Sequence, residues 1–193
     1  MKNLFLDTST NLLYIGISDG NKLIKEHIKI GKKDHGKYLV SLVGELLKGV
    51  NLTIDDIDRI YVGSGPGSYT GLRVSGMVAK MFSALKEIPL YEVSSLFFLS
   101  SGYENTNAVM IDARNNNVFS SIYKENETLV EEALRNIEDF KVIAKRYDAK
   151  TILLDENNYK VDISKVIKKA KLVLNVDAFE PRYLRETAAE RNL

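Results

Sequence analysis

The residues best able to bind a ligand stand together in one glycine-rich stretch, Ser64-Gly-Pro-Gly-Ser-Tyr-Thr-Gly-Leu-Arg73. Its glycines allow close approach of the backbone, and the amides at the start of a helix can bind an anion. Ser68 or Thr70 is predicted to cap the helix that follows. The stretch lacks the Gly-Lys-Ser/Thr of a P-loop and the spacing of Gly-x-Gly-x-x-Gly. On these residues alone, an anion-binding loop and a tight turn without a ligand both stay open.

A second polar turn, Asp7-Thr-Ser-Thr10, follows the first predicted strand. It places a carboxylate beside three hydroxyls at the end of a strand, which is where a nucleotide site could lie. Asp7 could equally be a turn residue that accepts hydrogen bonds from its own backbone. Arg73, at the mouth of the helix, also has two interpretations, a binding residue or a solvated charge.

Several kinds of catalytic site find no support in the sequence. The chain has no cysteine, and its two histidines, His27 and His35, lack the helical i, i+4 spacing of a zinc pair. No Gly-x-Ser-x-Gly order indicates a nucleophile elbow. The sequence therefore predicts neither a metal site nor a catalytic nucleophile.

The composition is that of an ordinary globular protein. The chain has 193 residues, of which 45% are hydrophobic and 27% are charged, enough for one large domain or two small lobes. The net charge of +1 provides no strong basic field for binding nucleic acid. No apolar run approaches the length of a membrane span, and the first residues predict a strand rather than a signal peptide. We therefore expect a cytoplasmic protein that does not contact a membrane.

The hydrophobic pattern predicts an α/β fold. Three strands joined by short turns open the chain, and a helix and a further strand precede the glycine-rich stretch. The second half again begins with a strand, an acidic turn and a strand, which suggests an internal duplication. Two lobes are predicted, over residues 1–104 and 105–193. The tail, residues 180–193, is predicted to pack back on the body.

The helix predicted over residues 72–85 is apolar on one side and carries small residues on the other. A sheet covers only one side of a helix, so the second side is either buried or presented to another protein. We expect a partner surface on this helix.

Six segments, in order along nearly the whole chain, resemble the TsaB (YeaZ) family. They are Asp7-Thr-Ser-Thr10, His35 ahead of an amphipathic helix, Gly63-Ser-Gly-Pro-Gly-Ser-Tyr-Thr-Gly-Leu-Arg73, Val93-Ser-Ser-Leu96, Ile111-Asp-Ala-Arg114 and Pro181-Arg-Tyr-Leu-Arg185. The resemblance implies an actin-like, ribonuclease H-like fold of the ASKHA class. Such a fold has two lobes, each with a mixed sheet flanked by helices.

The resemblance also implies a function. It implies a non-catalytic scaffold in the complex that makes N6-threonylcarbamoyladenosine in tRNA, next to the anticodon. The implied partners are a TsaD-type transferase, which carries the metal and the transfer chemistry, and a TsaE-type ATPase. A homodimer is implied when the protein is alone, and tRNA is reached through the complex, with direct contact left open. Two alternatives stay open, an ATPase or phosphotransferase of the same fold and a metallopeptidase-like protein.

The resemblance finally assigns residues to two sites. The partner surface maps onto the helices over residues 36–48 and 71–85, at Leu39, Leu42, Val43, Leu46, Val74, Gly76, Val78, Ala79 and Met81. A remnant nucleotide or phosphate site maps onto Asp7, Thr8, Ser9, Thr10, Gly65, Gly67, Ser68 and Thr70. Ser9 stands where the phosphate turn of this fold usually has glycine. We therefore expect no cofactor and at most weak nucleotide binding.

Overall fold

The computed structural model describes residues 1–31 and 35–184, and of His35 the backbone alone. In this part of the chain, two mixed sheets are flanked by helices. The predicted α/β class, with a mixed sheet in each half, is confirmed. No helix among the described residues is long and apolar enough to cross a membrane.

Five strands of the first half build the first sheet. β1 (Lys2–Asp7), β2 (Leu12–Asp19) and β3 (Lys22–Ile30) form the predicted antiparallel meander. β4 (Arg59–Gly63) runs parallel to β1, and β5 (Leu90–Val93) runs parallel to β4. The carboxyl ends of these three parallel strands therefore meet at one edge of the sheet.

Four strands of the second half build a second sheet on the same plan. β6 (Thr106–Asp112), β7 (Asn117–Lys124) and β8 (Glu127–Asn136) form a meander, and β9 (Lys150–Leu153) runs parallel to β6. This repeats the arrangement of β1 to β4, as expected for an internal duplication. β8 is not predicted from the sequence, because its charged and apolar residues do not alternate.

Helices cover both sheets and separate them. α1 (His35–Lys48) and α2 (Tyr69–Lys86) pack on the outer face of the first sheet. α3 (Ser95–Ser100) lies between the sheets, α4 (Ile137–Arg146) covers the outer face of the second sheet, and α5 (Ile163–Lys169) adds to the layer between them. The order of layers is thus helix, sheet, helix, sheet, helix.

The central apolar cluster joins the two sheets. It contains Phe5 and Tyr61 of the first sheet, Phe97 and Phe98 of α3, and Ile111 of the second sheet. The rings of Phe5 and Tyr61 stack with their centroids 4.9 Å apart. Residues of both halves therefore share one core, and the division into lobes after residue 104 stays a prediction.

The end of the described chain returns to the first sheet. The short β10 (Lys171–Leu172) pairs antiparallel with β5, which gives the sheet orders β10-β5-β4-β1-β2-β3 and β8-β7-β6-β9. Residues 173–184, called the C-terminal strap below, then run along α2 to the glycine-rich loop. Arg185 and the rest of the predicted tail lie outside the described residues.

Candidate functional site

The glycine loop (residues 63–71) and the first turn (residues 7–10) lie in direct contact at the carboxyl edge of the first sheet. The amide of Ser68 donates a hydrogen bond to the carbonyl of Ser9 at 2.6 Å. This hydrogen bond joins two backbone segments that are distant in sequence. It also occupies an amide at the start of α2, which is then not available to bind an anion.

Two glycines of the loop are required by this contact. A side chain at Gly67 would collide with Ser9, and a side chain at Gly71 would collide with the carbonyl of Thr8. The hydroxyl of Thr8 donates to the carbonyl of Gly71 at 2.6 Å. The glycines therefore allow the loop to approach the first turn, whatever else they do.

Asp7 ends β1 and is fully buried. Its Oδ1 accepts hydrogen bonds from the amide and the hydroxyl of Ser9, at 2.8 and 2.7 Å. Its Oδ2 lies against Gly63 and has no hydrogen-bond partner. Burial raises the pKa of Asp7 above its usual value, and the hydrogen bonds from Ser9 only partly offset this rise. The amide of Ser9, like that of Ser68, is therefore already bonded inside the protein.

A cleft of about 1130 Å³ opens between the two sheets. Of the eight residues predicted for the remnant nucleotide site, the structure places these on the cleft wall: Ser9, Thr10, Gly67, Ser68 and Thr70. The other three, Asp7, Thr8 and Gly65, lie behind that wall and are buried.

The opposite wall of the cleft belongs to the second half. It includes Asp112 at the end of β6, Arg114 from the turn that follows, and Asp155 and Glu156 from the segment after β9. The two acidic turns of the repeated pattern thus border one cleft. Because these three carboxylates outnumber the cation of Arg114, the wall disfavours a polyphosphate ligand.

The C-terminal strap reaches the glycine loop at Gly65. The amide of Arg182 donates to the carbonyl of Ser64 at 2.7 Å. Gly65 has a φ of +104°, and a side chain there would stand 2.6 Å from the carbonyl oxygen of Arg182. Gly65 therefore meets two demands that only glycine satisfies, a positive φ and a close approach of the strap.

The start of α2 is held from two sides. The hydroxyl of Ser68 caps the helix by accepting a hydrogen bond from the amide of Gly71 at 3.3 Å, as predicted. The rings of Tyr69 and Tyr183 of the strap lie with their centroids 4.7 Å apart. Arg73 donates from Nε to the Tyr183 hydroxyl at 3.2 Å, so this arginine contacts the strap.

The residues predicted for a partner surface do not share one surface. Leu39, Val43, Leu46, Val78 and Ala79 are at most 9% exposed and pack in the core under α1 and α2, and Gly76 is covered by the strap. For these six residues the structure corrects the prediction, because the five side chains face the core and the strap covers the backbone of Gly76. Of the other three, Leu42 and Val74 are half-buried and Met81 is exposed.

The outer side of α1 and α2 carries a different set of apolar residues. Val40, Met77, Met81 and Leu85 are 46%, 72%, 37% and 72% exposed, and they are called the helical surface below. Met77, Met81 and Leu85 are four residues apart and lie on one side of α2. The prediction included Met81 alone of these four. The spacing was visible in the sequence, but the side on which the sheet packs was not.

No group of three or more histidine, cysteine, aspartate or glutamate side chains that could hold a metal ion is found among the described residues. The side chain of His35 lies outside that description.

The sequence matches the family model described as TsaD: tRNA N6-adenosine threonylcarbamoyltransferase over residues 25–175. The chain belongs to this family. It is 31% identical over 137 residues to the tRNA threonylcarbamoyladenosine biosynthesis protein TsaB of Bacillus subtilis (strain 168). A solved structure of YeaZ from Pseudomonas aeruginosa is 26% identical, with a TM-score of 0.65 over 70% of this chain and 67% of that one. The resemblance to TsaB (YeaZ) proteins is confirmed.

A second solved structure shares the fold over nearly the whole chain. The structure of an uncharacterized protein with similarity to peptidase YEAZ from Pseudomonas aeruginosa covers 95% of this chain and 99% of its own, with a TM-score of 0.77 and 21% identity. The family match, the YeaZ structure at 26% identity and the repeated sheet topology together confirm the predicted actin-like fold. The match to the Bacillus subtilis protein spans 69% of this chain but only 60% of that relative.

Proposed function

We propose that this protein is a non-catalytic scaffold subunit of the complex that makes N6-threonylcarbamoyladenosine in tRNA, next to the anticodon. The observation that carries the proposal is the helical surface, whose four large apolar side chains stand on two neighbouring helices. Apolar residues exposed together in this way indicate a protein-binding site. Relatives named for threonylcarbamoyladenosine biosynthesis support the pathway. The partner at this surface is a TsaD-type transferase, which supplies the transfer chemistry.

The contacts at the glycine loop support a scaffold over an ATPase or phosphotransferase. The amides of Ser9 and Ser68 are bonded inside the protein, and carboxylates stand on the opposite wall of the cleft. A phosphate group would have to replace the hydrogen bonds of both amides. Any nucleotide bound by the remnant site is therefore held weakly. No observation favours the metallopeptidase alternative.

The remaining parts of the proposal follow from the family. The protein works in the cytoplasm, binds a TsaE-type ATPase within the complex and reaches tRNA through its partners. Alone, it forms a homodimer through the helical surface. Its two lobes divide after residue 104.

The test is titration calorimetry with the TsaD-type protein of the same organism. Met77→Glu places a charge on the helical surface, while Val142→Glu makes the same kind of change on α4, where Val142 is 53% exposed. We expect Met77→Glu to weaken binding by about 30-fold or more, since a central interface residue contributes about 2 kcal/mol or more. Val142→Glu should leave the affinity within about twofold.

Two results would count against the proposal. The first is equal binding by the wild type and Met77→Glu, which would move the contact away from the helical surface. The second is micromolar binding of ATP and magnesium by the protein alone, which would favour an enzyme.

A further inference from the structure

The C-terminal strap is fixed along one side of α2. Lys80 of the helix donates from its ammonium group to the carbonyls of Asp177 and Phe179, at 2.7 and 3.2 Å. A side chain at Gly76 would stand 3.5 Å from both Phe179 and Pro181, so the strap lies in ordinary contact with the helix there. Phe179 itself is 7% exposed and belongs to the core under α2.

An ion pair fastens the strap to the second sheet. Arg182 donates from Nη2 to Oε2 of Glu132 at 2.8 Å, and the hydroxyl of Tyr123 donates to Oε1 of the same carboxylate at 2.7 Å. The Glu132 side chain is only 11% exposed, whereas that of Arg182 is 49% exposed. A carboxylate removed from water needs a positive partner, so loss of Arg182 leaves Glu132 poorly compensated. We call this pair the clasp.

The clasp connects three parts of the molecule that are distant in sequence. Through its side chain Arg182 binds β8, and through its amide it binds Ser64 of the glycine loop. The next residue, Tyr183, lies against Tyr69 in the first turn of α2. One short stretch of chain therefore touches the second sheet, the glycine loop and the helix that carries most of the helical surface.

We propose that the clasp positions α2 for partner binding, with Glu132 and Arg182 as positioning residues outside the interface itself. This inference rests on the proposed function, because it concerns the same helical surface. α1 supports α2 on one side, and the strap supports it on the other. Release of the clasp removes the second support from the start of α2 and the glycine loop. The helical surface then loses its fixed geometry, and binding must restore it at a cost in affinity.

The test uses variants that change charge with little change of shape. Glu132→Gln keeps an oxygen for the Tyr123 hydroxyl but loses the charge, and Arg182→Ala removes the partner. Glu138→Gln is the matched control, since Glu138 forms an exposed ion pair with Lys141 at 2.8 Å on α4. Two quantities are measured for each, the affinity for the TsaD-type partner and the hydrogen exchange of the amides in residues 64–72.

We expect both clasp variants to weaken binding by about tenfold and to speed exchange in residues 64–72. The control should do neither. Because the two residues act as one pair, the double variant should be no weaker than either single variant. Arg182→Lys, or the exchange of charges in Glu132→Arg with Arg182→Glu, should recover most of the affinity. Recovery on exchanging the charges would show that the ion pair, rather than the shape of either side chain, is responsible.

The proposal is overturned if the clasp variants bind the partner within twofold of the wild type, or if their binding falls but the exchange of residues 64–72 stays unchanged. A different result would contradict the proposed function, namely that the wild type itself does not bind the partner. The exchange measurement needs no partner, so in that case it still decides whether the clasp holds the loop. Thermal melts of each variant exclude unfolding as the cause.

Discussion

Replacing Asp7 by asparagine should make the protein more stable at neutral pH. Asp7 is fully buried, and one of its two carboxylate oxygens has no hydrogen-bond partner. The asparagine can keep the two hydrogen bonds from Ser9 through its carbonyl oxygen. Its amide group would replace the unpartnered oxygen and stand near the hydroxyl of Ser95, which can accept a hydrogen bond.

The magnitude follows from the cost of a buried, unsatisfied charge. An unpaired buried polar atom costs about 1–3 kcal/mol, and each unit by which burial raises a pKa corresponds to about 1.4 kcal/mol. We therefore expect Asp7→Asn to raise the free energy of unfolding by about 1–3 kcal/mol at pH 7.

The stability gained by Asp7→Asn should increase as the pH rises. The pKa of Asp7 is raised in the folded protein, from an ordinary value of 3.8, so the folded state binds the proton more tightly than the unfolded chain. The contribution of Asp7 to stability is therefore greatest below pH 3.8 and falls as the pH rises through the folded-state pKa. The difference between Asp7→Asn and the wild type should be small near pH 4 and grow toward pH 7.

Urea denaturation at several pH values measures this difference. Asp112→Asn is the control, because Asp112 ends β6 as Asp7 ends β1 but is exposed. A surface change of this kind is expected to alter stability by less than about 0.5 kcal/mol. If Asp7→Asn is less stable than the wild type at pH 7, by an amount that does not change with pH, the argument from the unpaired charge is wrong.

Two further predictions concern glycine and a surface carboxylate. Gly71→Ala should lower the free energy of unfolding by about 3 kcal/mol, because the new methyl group collides with the carbonyl of Thr8. Gly44→Ala, which has open space around it in α1, should raise that free energy by about 1 kcal/mol. Urea denaturation measures both, and equal effects would contradict the close-approach argument. The Lys2 ammonium and the N-terminal amino group lower the pKa of Asp19 to about 2, so the interaction is lost as the pH falls through this value, and Lys2→Ala should raise that pKa in an NMR titration; an unchanged titration would show that the contact does not form in solution.

Much of the secondary structure depends on local sequence and could be predicted. The opening meander, the helix before the glycine loop and the cap at Ser68 each depend on neighbouring residues, and the structure contains all three. β8 was not predicted because it is stabilised by its pairing with β7 rather than by a pattern in its own sequence. The sequence led us to expect that residues 180–193 pack back on the body, but it did not predict the course of the strap along α2, since no periodicity marks an irregular segment of this kind.

The candidate site shows the same limit. The sequence indicated that Gly65, Gly67 and Gly71 have a structural or binding role, yet it left open whether the loop binds an anion or is a tight turn without a ligand. That choice depends on which distant segments meet the loop. They are the first turn at Gly67 and Gly71, and the strap at Gly65.

The sequence by itself determined the family, the α/β class and the two helices on which we propose a partner surface, because motifs and hydrophobic spacing are properties of short stretches. Only the tertiary structure decided which sides of those helices are free. Leu39 and Val78 fit a partner surface by type and spacing, but the sheet covers them, and Met77 and Leu85 stand outside. The sheet and the strap decide which side of each helix is buried. Both are built from segments distant in sequence, so the spacing of residues within the helix cannot reveal that side.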